Sequence, residues 1–182
     1  MTGARMDPKD VGKALRKMVL ATPPEQLAFS PDEEYPTIYG VLTDWPIGED
    51  TASILAMKDG TASLYTTSTF GIIGGEGHEK VRAAAQRCVR VGHKFLDRSV
   101  KTSEFPYPGE DQVHFFLLSY EGVRLCEVDE TAIKQGSDAI GELFDAAQDV
   151  VTQLRLVSQE RMAKEARPEA PADGSRSADL RP

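Results

Sequence analysis

The chain has 182 residues, a mass of 19.9 kDa and a formal charge of −8, with 40% hydrophobic and 27% charged residues. That size suits one domain of ordinary length, and the acidic balance argues against nucleic acid or an anionic membrane as a partner. No run of 18 apolar residues reads as a membrane span. Met1–Asp10 lacks the apolar stretch of a secretory signal, and Cys88 and Cys126 are too few for a disulfide framework, so a reducing cytoplasm is the expected compartment.

The first predicted element is a helix. Asp7 suits its N-cap and Pro8 its first position, and Val11, Ala14, Leu15, Met18 and Val19 recur on one expected core face. Thr22-Pro23-Pro24 ends it. Glu25 to Pro36 is polar and proline-punctuated and reads as a linker or surface clasp. Three strands are expected next, over 37–45, 51–57 and 61–67. Lys58-Asp59-Gly60 signals a hairpin between the last two, with both Asp and Gly expected at positive φ.

The glycine-rich stretch Gly71–Gly77 leads into a long helix expected over about His78 to Val100. Its predicted core face is Val81, Ala85, Cys88, Gly92 and Phe95, with Ala84, Val89 and Leu96 beside it. Gln112–Ser119 is nearly all apolar and reads as a central strand covered on both faces. Tyr120-Glu121-Gly122 turns it into a partner strand over 123–128. A final helix is expected from an N-cap near Ser137, burying Ile140, Leu143, Phe144, Ala147, Val151 and Leu154. From Ala166 onward the composition lacks apolar periodicity and predicts a disordered tail.

The expected fold is therefore α+β: an antiparallel five-stranded sheet covered by two long helices, in the order α-βββ-α-ββ-α. Residues 1–36 form the N-terminal helix and linker, 37–165 the domain and 166–182 the tail. That order loosely resembles roadblock, longin and profilin-like domains. The phrases YGVLTDWPIG, GTASLY and GIIGGEGH, within Tyr39 to His78, resemble a bacterial family of unknown function. The first resemblance implies a dimeric adaptor for other proteins. The second implies no activity.

Two features carry candidate chemistry. Gly74, Gly75 and Gly77 sit ahead of His78 at a helix start, where free N–H groups attract anions. Asp44 and Trp45 close a strand and could line the same pocket. The loop lacks the Lys-Ser/Thr of a P-loop, Ile72-Ile73 is apolar and Glu76 would repel an anion, so a tight crossover that needs positive φ at Gly74 or Gly75 explains it as well. His78 could act as a general base, or be only a first-turn polar residue. Asp44 and Trp45 could equally be a turn residue and a core plug.

The second feature is a basic stripe on the middle helix. Lys80, Arg87, Arg90, Lys94 and Arg98 share one side, so they read either as a surface for an acidic partner or as a solvated face. His78, His93 and His114 fall in no metal-binding spacing, and no nucleophile–base pair is evident. Catalytic residues, metals and cofactors are therefore not expected. The expectation is a non-enzymatic interaction or scaffold domain, dimeric or bound to an acidic protein surface. The alternatives are a small-ligand (anion) sensor or enzyme at the glycine-rich loop, and a structural subunit of a larger assembly.

Overall fold

The computed structural model describes residues 8–68, 71–74 and 77–166. The expected cap Asp7, Gly75, Glu76 and the tail beyond Ala166 lie outside them. Helix α1 spans Pro8–Ala21, and a 3-10 turn follows at Pro24–Leu27. Strands β1 (Ile38–Ile47), β2 (Asp50–Met57), β3 (Ala62–Thr66) and β4 (Gly71–Ile73) come next, then α2 (Glu79–His93) and a 3-10 turn at Leu96–Arg98. Strands β5 (Val100–Lys101), β6 (Gln112–Ser119) and β7 (Gly122–Asp129) precede α3 (Glu130–Lys134) and α4 (Gly141–Glu165).

The class is α+β with one antiparallel sheet, as expected. The sheet has seven strands rather than five, in the order β4-β3-β2-β1-β6-β7-β5. Both extra strands are short and lie at the edges. β4 arises within the glycine-rich stretch. β5 replaces the end of the expected long helix, which stops at His93. Edge strands of two or three residues carry too little periodicity to read from sequence. The last helix also starts later than expected. Ser137 donates to the Ala132 carbonyl instead of capping α4, and Asp129 caps the unexpected α3 by accepting from the Thr131 and Ala132 N–H groups.

The Lys58-Asp59-Gly60 hairpin forms, but only Gly60 has positive φ, at 92°. Asp59 instead accepts from the Thr61 N–H at 2.8 Å. This is a three-residue loop whose last position takes the left-handed conformation, a common hairpin solution.

One sheet face carries the main core. Helices α2 and α4 cover Ile38, Val41, Ile54, Val113, Phe115 and Leu117 with the residues expected of them. Val81, Ala85, Cys88 and Val89 of α2, Phe95 just after it, and Leu143, Ala147 and Leu154 of α4 are all buried. Gly92 lets α2 come close: a Cβ there would lie 2.7 Å from Val41 Cγ2. β6 is covered on both faces, as its apolar run predicts, and Phe115 and Phe116 are fully buried on opposite sides.

The other face holds a smaller cluster of Leu20, Tyr39, Leu42, Leu55, Met57, Phe116 and Leu118. Helix α1 lies on it, but not by its expected side. Arg16 and Leu20 are buried, while Val11 and Met18 are 39% and 56% exposed. Of the expected apolar face, Val11, Ala14 and Met18 point to solvent, while Leu15 and Val19 are half-buried and Val19 packs against this cluster.

Candidate functional site

Strand alternation separates Asp44 from Trp45. Trp45 points to the α4 side, where its Nε1 donates to Glu130 at 2.7 Å and its ring meets Phe144 edge-on. Asp44 points to the α1 side and is completely buried. The two residues expected in one pocket therefore lie on opposite sides of the sheet.

A polar row crosses the α1 side of the sheet. Register places Tyr65, Ser53, Asp44, His114 and Glu127 on five adjacent strands, each opposite the next. Ser53 Oγ donates to Asp44 Oδ1. From above, Arg16 donates to Asp44 Oδ2 through Nε at 2.8 Å and through Nη2. The guanidinium also donates to the carbonyls of Phe105 and Pro106 and stacks 4.1 Å over the Tyr107 ring. Burial pushes the Asp44 carboxyl above its ordinary range, while the hydrogen bonds and charge of Arg16 pull it down. One side chain thus ties α1, the sheet and the 105–107 loop together.

His114 is buried beside this pair, with Nδ1 3.3 Å from the Pro106 carbonyl. Its Nε2 lies 3.3 Å from Glu127 Oε1 but out of hydrogen-bond alignment, and is buried without a hydrogen-bond partner. Sequence reasoning missed Arg16, Ser53 and His114 as a group. An arginine spaced four residues from both Gly12 and Leu20 was the available signal, because those three positions share a helix face.

Gly74 and His78 do come together. With Ile72, Leu154, Val157 and Lys164 they line an open groove of about 460 Å³ between β4 and the end of α4. Gly74 has φ 134°, which meets the expectation of positive φ in this loop. His78 precedes α2 without a capping side-chain bond, and Gly77 is exposed. Trp45 lines a different, smaller cavity of about 170 Å³ with Ile54, Leu64 and Val151. Among the described residues, no cluster of three His, Cys, Asp or Glu residues could hold a metal ion.

The basic stripe of α2 is largely engaged within the chain. Arg87 lies 4.0 Å from Asp149, Arg90 donates to Glu34 at 2.7 Å, and Lys94 donates to Glu142 at 2.7 Å. Arg98 grips both oxygens of Asp138. That grip, with the Ile140 N–H, holds the Asp138 carboxyl down at about 2. Because α2 ends at His93, Lys94 and Arg98 of the expected stripe lie in the turn after it; three of the pairs join α2 or that turn to the chain before or within α4, and the fourth fastens the 25–36 segment to α2. Lys80 is exposed.

On the α1 side, the sheet is unevenly covered. Seven strands span about 29 Å, whereas a packed helix occupies roughly 10 Å. Helix α1 reaches Thr66 of β3 at Gly12 and Asp44 of β1 at Arg16. Over β7 and β5, Val123 and Leu125 are only half-buried, and Val100, opposite Leu125, is 71% exposed. Phe105 and Tyr120 border this strip, and a groove of about 400 Å³ runs from Leu20 to Val123. No helix is long and apolar enough to cross a membrane among the described residues. Searches of protein-family models, curated proteins and solved structures find no match to the chain.

Proposed function

We propose that this protein is a non-enzymatic interaction module that docks another protein on the α1 side of its sheet. The observation that carries the reading is the half-covered strip over β7 and β5, with Val100 71% exposed beside Leu125. Apolar residues gathered on one sheet face, with polar residues at the border, are the usual mark of a protein-binding surface. The outward Val11 and Met18 of α1 extend the same face. A cytoplasmic setting fits two buried free thiols. The loose resemblance to roadblock and longin adaptor domains agrees with this reading by analogy alone.

A second reading, a small-ligand site at Gly74 and His78, draws on the groove against α4. Hydrogen exchange separates the two. The full chain is compared in buffer, with the macromolecular fraction of source-cell extract, and with its small-molecule filtrate. Protection of 100–107 and 120–127, by the macromolecular fraction or on raising the concentration of the chain itself, is the expected result. Protection confined to the amides around Gly74 and His78, produced by the filtrate, would overturn the docking reading in favour of a ligand sensor.

A further inference from the structure

Two apolar surfaces on the same side of the sheet have no partner among the described residues, and their charged borders carry opposite net sign. The first is the outward stripe of α1, Val11, Ala14 and Met18, bordered on one side by exposed Asp10, Lys17 and Lys13, a border of net positive charge. At 100° per residue these three positions sit within about 60° of one another and nearly opposite Arg16. The stripe is therefore turned outward by the burial of Arg16 and has no cover among the described residues. The second is the strip over β7 and β5, Val100, Val123 and Leu125. It is bordered by exposed Glu104, Glu121 and Glu127.

We infer that the occupant of the β7–β5 strip is helix α1 of a second copy of this chain, in a reciprocal two-fold dimer. The inference rests on the docking reading above and names its partner. Two observations support it. The 14-residue α1 is about 21 Å long, enough to cover most of the roughly 26 Å of the eight-residue β7. The border of α1, Lys13 and Lys17 with Asp10 between them and the stripe, keeps a net positive charge opposite the glutamate border of the strip, in a chain whose overall charge of −8 would otherwise make two copies repel. Because each copy offers both surfaces on one side, a two-fold operation satisfies both at once, and no open surface remains to propagate a chain of subunits.

The test is sedimentation velocity on the full chain over a hundredfold concentration range, at low and high salt, with three charge variants. Lys13→Glu/Lys17→Glu and Glu104→Lys/Glu121→Lys each reverse one border at exposed positions. Folding should therefore survive, and far-ultraviolet circular dichroism verifies it. The expected result is a wild-type dimer weakened by salt, a tenfold or greater loss of association in each double variant, and recovery when all four changes are combined. A dimer indifferent to both reversals overturns the inference, as does failure of the fourfold variant to recover. A wild-type chain that stays monomeric throughout also overturns it. In that last case, protection of 100–107 and 120–127 by the macromolecular fraction would leave the docking reading standing with a different partner. The absence of protection would remove both.

Discussion

Replacing Arg16 with methionine tests the claim that one buried ion pair fixes how α1 meets the sheet. The substitution keeps much of the side-chain volume but removes two hydrogen bonds to Asp44 and those to the Phe105 and Pro106 carbonyls. Asp44 is left fully buried, with Ser53 as its remaining hydrogen-bond donor. Breaking a buried pair from one side costs about 3–5 kcal/mol, because the remaining charge stays desolvated. That is a large share of the 5–15 kcal/mol typical of a domain. The sign of the pH response follows. Burial already raises the Asp44 carboxyl, and without Arg16 the main opposing pull is gone. A carboxyl raised in the folded state binds its proton more tightly there than in the unfolded chain. Stability is therefore lost as pH rises through the window between the ordinary value of 3.8 and the raised one. The variant should be closer to wild type at pH 4 than at pH 7. Urea titrations at both pH values measure this, and Arg16→Met/Asp44→Leu completes a double-mutant cycle. The double variant should recover most of the loss, since well-packed apolar replacements of buried pairs are often neutral. A single variant within about 0.5 kcal/mol of wild type at pH 7 would refute the reasoning, as would a double variant no better than the single.

Three further outcomes follow from the packing. Gly92→Val should cost about 1–3 kcal/mol in urea titrations, since even its Cβ meets Val41 at 2.7 Å; an unchanged midpoint would mean that α2 does not sit this close. Asp138, held at about 2 by Arg98, stabilises the fold above its unfolded value of 3.8 and loses that contribution as pH falls toward 2. With allowance for its exposure, Asp138→Asn should remove about 1 kcal/mol at pH 7 and almost nothing at pH 2; equal effects at both would refute the pairing. The Cys88 thiol, fully buried and pushed up to about 12, should resist a thiol reagent at pH 8 in the folded chain and react once it is unfolded, a contrast read by absorbance.

Much of the architecture was legible because period alone decides it. Val81, Ala85 and Cys88 define the inner face of α2, and the run Val113–Leu118 marks a strand covered on both sides. The α1 stripe shows where period stops being sufficient. Val11, Ala14 and Met18 do share a face, but the buried face is set by Arg16 meeting Asp44, 28 residues away. A long-range ion pair leaves no periodic trace. The same limit hid the row from Tyr65 to Glu127, which exists only once strand register is known. It also hid the pairing of Arg90 with Glu34 and of Arg98 with Asp138, which turned much of a basic stripe into internal fastenings. For Asp44 and Trp45, adjacency in sequence suggested one pocket, but alternation along a strand sends neighbours to opposite faces.

The central claim is that the strip over β7 and β5 receives α1 from another copy, and the most direct measurement is site-specific cross-linking. A chain carrying Met18→Cys is mixed with a chain carrying Val100→Cys and treated with a short bismaleimide. The native thiols Cys88 and Cys126 are buried and should stay silent. The account predicts an intermolecular adduct joining positions 18 and 100, identified by peptide mass, that disappears when Lys13 and Lys17 are reversed. Equal or greater cross-linking between Met18→Cys and a control cysteine at His78, outside the proposed contact, would contradict it.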